Sequence, residues 1–138
     1  MLKDPRSLKV DSSGSSNPVQ VKVCGLTRAK EAVLCAELGV QAIGLVFYPP
    51  SPRHVSVEQA REITGGLPDR VVTVGVFVDR QEDEILRVVE GCRLKAVQLH
   101  GQEPPELVER LRGEGLLVLK ALFAGGKQPP IEARVRYR

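Results

Sequence analysis

Apolar runs of five to eight residues recur along the chain at 19–23, 42–48, 71–78, 95–99 and 116–123, and the segments between them carry apolar residues three and four apart. The runs predict five buried strands and the intervening segments predict helices. Thr27 stands where it can cap a first helix that buries Ala29, Ala32, Val33 and Ala36 and stops at Gly39. Ser56 and Gln59 have the spacing of a capping box before a second helix, which Gly65 and Gly66 end. A third helix across 82–90 buries Ile85, Val88 and Val89. The fourth opens at Pro104 and Pro105, packs Leu107, Val108 and Leu111, and stops near Gly113 or Gly115.

The strand starts fall about 21–29 residues apart, the length of consecutive βα units with tight loops. Right-handed crossovers make such a sheet parallel. Strands this apolar need cover on both faces, which leaves two α/β architectures, a doubly wound open sheet or a (β/α) barrel. In both, ligands bind beyond the carboxyl ends of the strands. Residues 1–18 are polar and contain the run Ser12-Ser13-Gly14-Ser15-Ser16-Asn17, so they read as a flexible lead-in. Residues 19–123 read as the folded unit, and 124–138, rich in Pro and Arg, as an irregular tail.

With 138 residues, 42% hydrophobic and 27% charged, the chain has the composition of one globular domain with a real core. The formal charge of +3 is spread along the sequence apart from Arg134, Arg136 and Arg138, and there is no Trp. Neither a basic stripe nor an aromatic stacking platform points to nucleic acid. Cys24, Cys35 and Cys92 are odd in number and form no C-x-x-C pair, so neither a disulfide framework nor a zinc site is expected. No apolar stretch reaches the length of a membrane span, and none at the N-terminus has the form of a signal peptide. These features together predict a cytoplasmic protein with no membrane or nucleic-acid partner.

Four strand ends carry the candidate chemistry. Cys24 ends the first strand before Gly25, where backbone N–H groups and a helix start favour a thiolate able to act as base or nucleophile; the alternative is a buried packing thiol. After the second strand, Pro49, Pro50 and Pro52 brace a loop that ends at Arg53. A guanidinium on a stiff arm suits a carboxylate or phosphate, and the alternative is a surface arginine opposite Glu58. Asp79, after the third strand, reads as an acid or as a cap for the helix that begins near Glu82. His100, after the fourth, reads as a donor to a ligand anion or as a structural histidine. Gly125-Gly126-Lys127 has no helix start behind it and makes a weak phosphate cradle.

Lys22-Val23-Cys24-Gly25-Leu26-Thr27, Gly44-Leu45-Val46-Phe47-Tyr48-Pro49-Pro50-Ser51-Pro52-Arg53, Val74-Gly75-Val76-Phe77-Val78 and Gln98-Leu99-His100-Gly101, in this order and spacing, resemble the phosphoribosylanthranilate isomerases of tryptophan biosynthesis, across about residues 19–122. The resemblance implies a (β/α)8 barrel of the TIM type and an aldose-ketose isomerase, an intramolecular oxidoreductase. Its Amadori rearrangement converts N-(5-phosphoribosyl)anthranilate into the carboxyphenylamino-deoxyribulose phosphate. It further implies that Cys24 is the general base at sugar C2, that Arg53 holds the anthranilate carboxylate, and that His100 lines the pocket. It implies neither a metal nor an organic cofactor, because the substrate nitrogen is the electron sink.

The same resemblance implies eight units, of which about five are read here, the size of a full barrel being roughly 200 residues or more. The family's general acid, an aspartate, and its phosphate-gripping glycine loop belong to later strands, so both are expected to be absent from this chain. First and fifth strands then become open edges. The expectation is a truncated product of low autonomous stability, able to self-associate through those edges. It reads either as a half-barrel that needs a complementing chain or as a non-catalytic binding remnant. An open flavodoxin-like sheet fits less well, since Gly25-Leu26-Thr27-Arg28 lacks a phosphate cradle.

Overall fold

A computed structural model describes residues 19–138; the expected lead-in, 1–18, lies outside the described residues. Five strands, β1 (Lys22–Cys24), β2 (Ala42–Val46), β3 (Val72–Phe77), β4 (Ala96–Leu99) and β5 (Leu117–Lys120), alternate with four helices, α1 (Ala29–Glu37), α2 (Val57–Gly65), α3 (Glu82–Cys92) and α4 (Pro105–Gly113). All four strand pairings are parallel, and the strands lie side by side in the order of the chain. A doubly wound sheet reverses its order part-way across. This one does not, so its five βα units form a partial barrel.

The two faces of the sheet bury different things, because alternate strand residues point opposite ways. Ile43, Leu45, Phe47, Phe77, Val97 and Leu99 join Ala32, Ala36, Ala60, Ile63, Ile85, Leu107 and Leu111 of the helices in one core, with Phe47 and Phe77 stacked at 5.3 Å. Val46, Val74, Val76 and Ala96 are also buried but stand outside that core, on the inner face. Strand register places Lys22, Cys24, Gly44 and Gln98 on this same face. Among the described residues β1 and β5 pair on one side only.

Helix ends follow the sequence in part. Ser56 and Gln59 form the reciprocal capping box, and α4 has a proline in its first turn. Two expectations change. Arg28, not Thr27, is the N-cap of α1, without a side-chain bond. Gln81, not Asp79, precedes α3, and it too caps without its side chain. Residues 124–138, expected to be irregular, include a 3-10 helix, Ile131–Tyr137, that packs on α4. Cys92 sits in the core, where burial pushes its thiol pKa up, in keeping with a packing role.

Candidate active site

The site is built at the carboxyl ends of the strands, starting from two glycines. Gly44 sits in the middle of β2, where a residue without a side chain weakens a strand. A Cβ there would stand 2.7 Å from Cys24 Sγ and 3.2 Å from Lys22 Cε. Gly44 is therefore what gives the inner face room for both side chains of β1. Gly25, at φ +83°, turns the chain sharply after Cys24, and its N–H donates to the Gly44 carbonyl at 2.9 Å. A Cβ on Gly25 would lie 2.6 Å from Arg53 Cδ and 2.9 Å from Arg53 Nε. The arginine thus lies against the turn that follows the thiol.

The loop after β2 delivers Arg53 by folding back on its own strand. Ser51 N–H donates to the Tyr48 carbonyl, Arg53 N–H to Ser51 Oγ at 3.2 Å, and Val55 N–H to the Val46 carbonyl at 3.0 Å. The prolines hold a compact turn, and the bland partner for Arg53 does not materialise. Among the described residues the guanidinium makes no hydrogen bond or ion pair. Cys24 is likewise exposed. α1 begins only at Ala29, so the loop 25–28 separates the thiol from the helix start.

His100 follows β4 at the same end of the sheet, its backbone N–H held by the Phe77 carbonyl at 2.9 Å and its ring edge-on to Phe123 at 5.5 Å. Two residues back, Gln98 Nε2 lies 3.4 Å from His100 Nδ1, and Lys22 Nζ donates to Gln98 Oε1 at 2.6 Å. Lys22 and Gln98 tie β1 to β4 across the concave face. Neither carries an assigned role in the sequence reading, although each is the polar break in an apolar strand, which is the signal that finds it.

Asp79 is consumed by the protein itself. It adopts φ +51°, its Oδ1 accepts from Gln102 N–H at 2.8 Å, and its carboxylate rests where a Gly101 side chain would stand. Its own N–H donates to Glu103 Oε2 at 2.9 Å. Glu103 also accepts from Gly101 N–H and from Lys120 Nζ, at 2.8 and 3.0 Å. Both members of that ion pair are buried, with side chains 2% and 5% exposed. Tyr137 closes it over, its ring 5.8 Å from Lys120 Nζ and its hydroxyl donating to the Glu103 carbonyl; burial raises the phenol pKa. Sequence reasoning missed Glu103 and Lys120, because their partners come from four separate segments.

Cleft volume does not mark the mouth. A cleft of about 1090 Å³ is lined by Arg61, Asp69, Arg93 and Lys95, toward the amino ends of the strands. Another, of about 1230 Å³, runs beside β5 and Tyr137. Convergent polar groups with spare hydrogen-bonding capacity are the better guide. By that measure the candidate site is Cys24, Arg53 and His100, with Lys22 and Gln98 on the same inner face of the sheet. Among the described residues no three His, Cys, Asp or Glu side chains gather as a metal site.

A five-stranded parallel sheet in chain order, with its unspent polar groups at the carboxyl ends of the strands, has the architecture of part of a (β/α)8 barrel. Within that class, the model of the N-(5'-phosphoribosyl)anthranilate (PRA) isomerase family matches residues 21–128, and the chain belongs to this family. It is 52% identical over 103 residues to the N-(5'-phosphoribosyl)anthranilate isomerase of Rubrobacter xylanophilus, covering 75% of this chain and 50% of that protein. The Desulfatibacillum aliphaticivorans isomerase is 46% identical over 119 residues, covering 86% and 54%. A crystal structure of phosphoribosyl anthranilate isomerase bound to reduced 1-(o-carboxyphenylamino)-1-deoxyribulose 5-phosphate superimposes with a TM-score of 0.81 at 43% identity, covering 88% of this chain and 61% of that one. The chain spans about half the length of the curated relatives it matches.

Proposed function

We propose that this chain carries the thiol-and-guanidinium half of a phosphoribosylanthranilate isomerase site, acting on a phosphorylated sugar joined to anthranilate. The observation that carries the reading is that Arg53 lies against Gly25, the residue next to Cys24, while the Cys24 thiol occupies the space that Gly44 leaves. Arg53 binds the anthranilate carboxylate, for which a planar guanidinium with no partner among the described residues is suited. Once the furanose opens to the protonated Schiff base, the iminium acidifies the C2 hydrogen. Cys24 thiolate removes that proton, the C2–H electron pair forms the C1–C2 double bond as the iminium pair moves on to nitrogen, and the enaminol becomes the ketone as its C2 hydroxyl gives up a proton and C1 takes one up. His100 offers a ring N–H to a ligand oxygen. The chemistry calls for no metal and no organic cofactor.

Protonation of the leaving ring oxygen and capture of the phosphate have no assigned group among the described residues. We therefore include a complementing half, and the one-sided pairing of β1 and β5 among the described residues supports docking at those edges, whether the added chain is a second copy or a C-terminal fragment. No described helix is long and apolar enough to cross a membrane, and we place the reaction in the cytoplasm, with no nucleic-acid or membrane partner.

The test is isomerisation of N-(5'-phosphoribosyl)anthranilate by the purified chain, alone and mixed with the C-terminal part of the Rubrobacter relative, with sedimentation reporting the assembly. Turnover that disappears in Cys24→Ala is the expected result. Turnover indifferent to Cys24→Ala, or none in either mixture, refutes the assignment.

A further inference from the structure

We propose that Lys22, acting through the side-chain amide of Gln98, sets the tautomer of His100 and so leaves its Nε2–H as the donor offered to a ligand at the mouth. An ammonium group has three donors and no acceptor, so the Gln98 atom 2.6 Å from Nζ is the carbonyl oxygen. The oxygen and nitrogen of an amide look alike in shape, and it is the partner that decides between them. Here the partner leaves one choice. With Oε1 committed to Lys22, the NH2 group of Gln98 is the end that faces His100 Nδ1 at 3.4 Å.

A donor facing Nδ1 requires that nitrogen to accept. The ring proton then resides on Nε2, since a neutral imidazole has one N–H and one lone pair. A proton on Nδ1 would set two donors against each other. The chain of bonds is directional, from ammonium to amide to imidazole, and each link fixes the orientation of the next. The backbone adds rigidity: Lys22 and Gln98 lie within paired strands, and His100 is anchored by its N–H to Phe77. Among the described residues Gln98 is the one hydrogen-bond partner of the His100 ring. Lys22 and Gln98 are thus positioning residues, and only the identity of the ligand oxygen rests on the isomerase reading.

The experiment is nitrogen-15 NMR of the imidazoles in the full 138-residue chain without ligand, in a buffer alkaline enough to leave histidine uncharged. The sequence has two histidines, and His54→Gln assigns the resonances. The wild-type His100 is expected to show a pyrrole-type Nε2 and a pyridine-type Nδ1. Free imidazoles already favour that form, so the deciding variant is Gln98→Glu, which keeps the shape but accepts from both neighbours. In it the two resonances should exchange places. Lys22→Met should give an averaged pair, because the amide is then free to turn over. A protonated Nδ1 in the wild type overturns the relay, and so does a Gln98→Glu spectrum identical to it. No substrate enters this measurement, so the relay is judged on the resonances and the isomerase reading on turnover.

Discussion

Two groups of polar side chains occupy the same end of the same sheet and are used in opposite ways. On the concave face, Cys24 is exposed, Arg53 is unpaired among the described residues, and His100 has one ring nitrogen uncommitted. Beneath the loops after β3, β4 and β5, Asp79, Glu103 and Lys120 are fully engaged, and Glu103 alone takes hydrogen bonds from three residues. Distance from the strand ends does not separate the two groups. Spent bonding capacity does: a carboxylate already satisfied by backbone N–H groups and an ammonium is a fastener, while a guanidinium with open donors is the proposed instrument for a ligand. The fastener also serves the instrument, because Gly101 and Asp79 clamp the loop that begins at His100.

The largest expected effect of breaking this contrast falls on catalysis. In the assembly that turns over, Cys24→Ala should cost about 10²–10⁴-fold in kcat, the usual contribution of a positioned base, while the urea midpoint barely moves, since the thiol is exposed. Glu103→Ala should behave in reverse. It strands a buried ammonium and two N–H donors, so a loss of about 3–5 kcal/mol in urea unfolding is expected. Replacing Glu103 and Lys120 together by methionine should recover much of that loss, which a double-mutant cycle measures.

Smaller effects sharpen the picture. Gly25→Ala puts a side chain at φ +83° and into Arg53 Cδ, with a cost of roughly 1–2 kcal/mol from the backbone. Because it displaces the guanidinium, KM for the anthranilate-bearing substrate should rise more than kcat falls. Ser56→Ala removes a capping box remote from the chemistry and should lower stability by ~1 kcal/mol with kinetics unchanged.

Much of the scaffold is legible in the chain because it rests on short-range rules. Five apolar runs became five strands, and the Ser56 to Gln59 box formed as its spacing requires. Strand limits moved where a neighbour was lacking: Val19 and Val21 are apolar but 83% and 46% exposed, and β1 begins at Lys22. Cys24, Arg53 and His100 were legible as candidates because each follows an apolar run. Asp79 was legible as a candidate too, yet its capping role dissolves once its positive φ points the carboxylate at Gln102. Glu103 and Lys120 were not legible at all. Glu103 is held from the segments after β3 and β4, from β5 and from the C-terminal segment, and Lys120 from the end of β4, Glu103 and Tyr137, and no local spacing encodes that meeting. Lys22 and Gln98 fall between these cases, visible as polar interruptions but with a purpose that only the bond between them reveals.

Each strand lies against the strand made just before it, and this governs how the sheet can come into being. The loop to be closed at each docking step is about one βα unit long, so the entropic toll is small and nearly the same every time. A growing polypeptide can therefore add one hairpin-sized parcel after another as it leaves the ribosome. The topology lets assembly follow the order of synthesis.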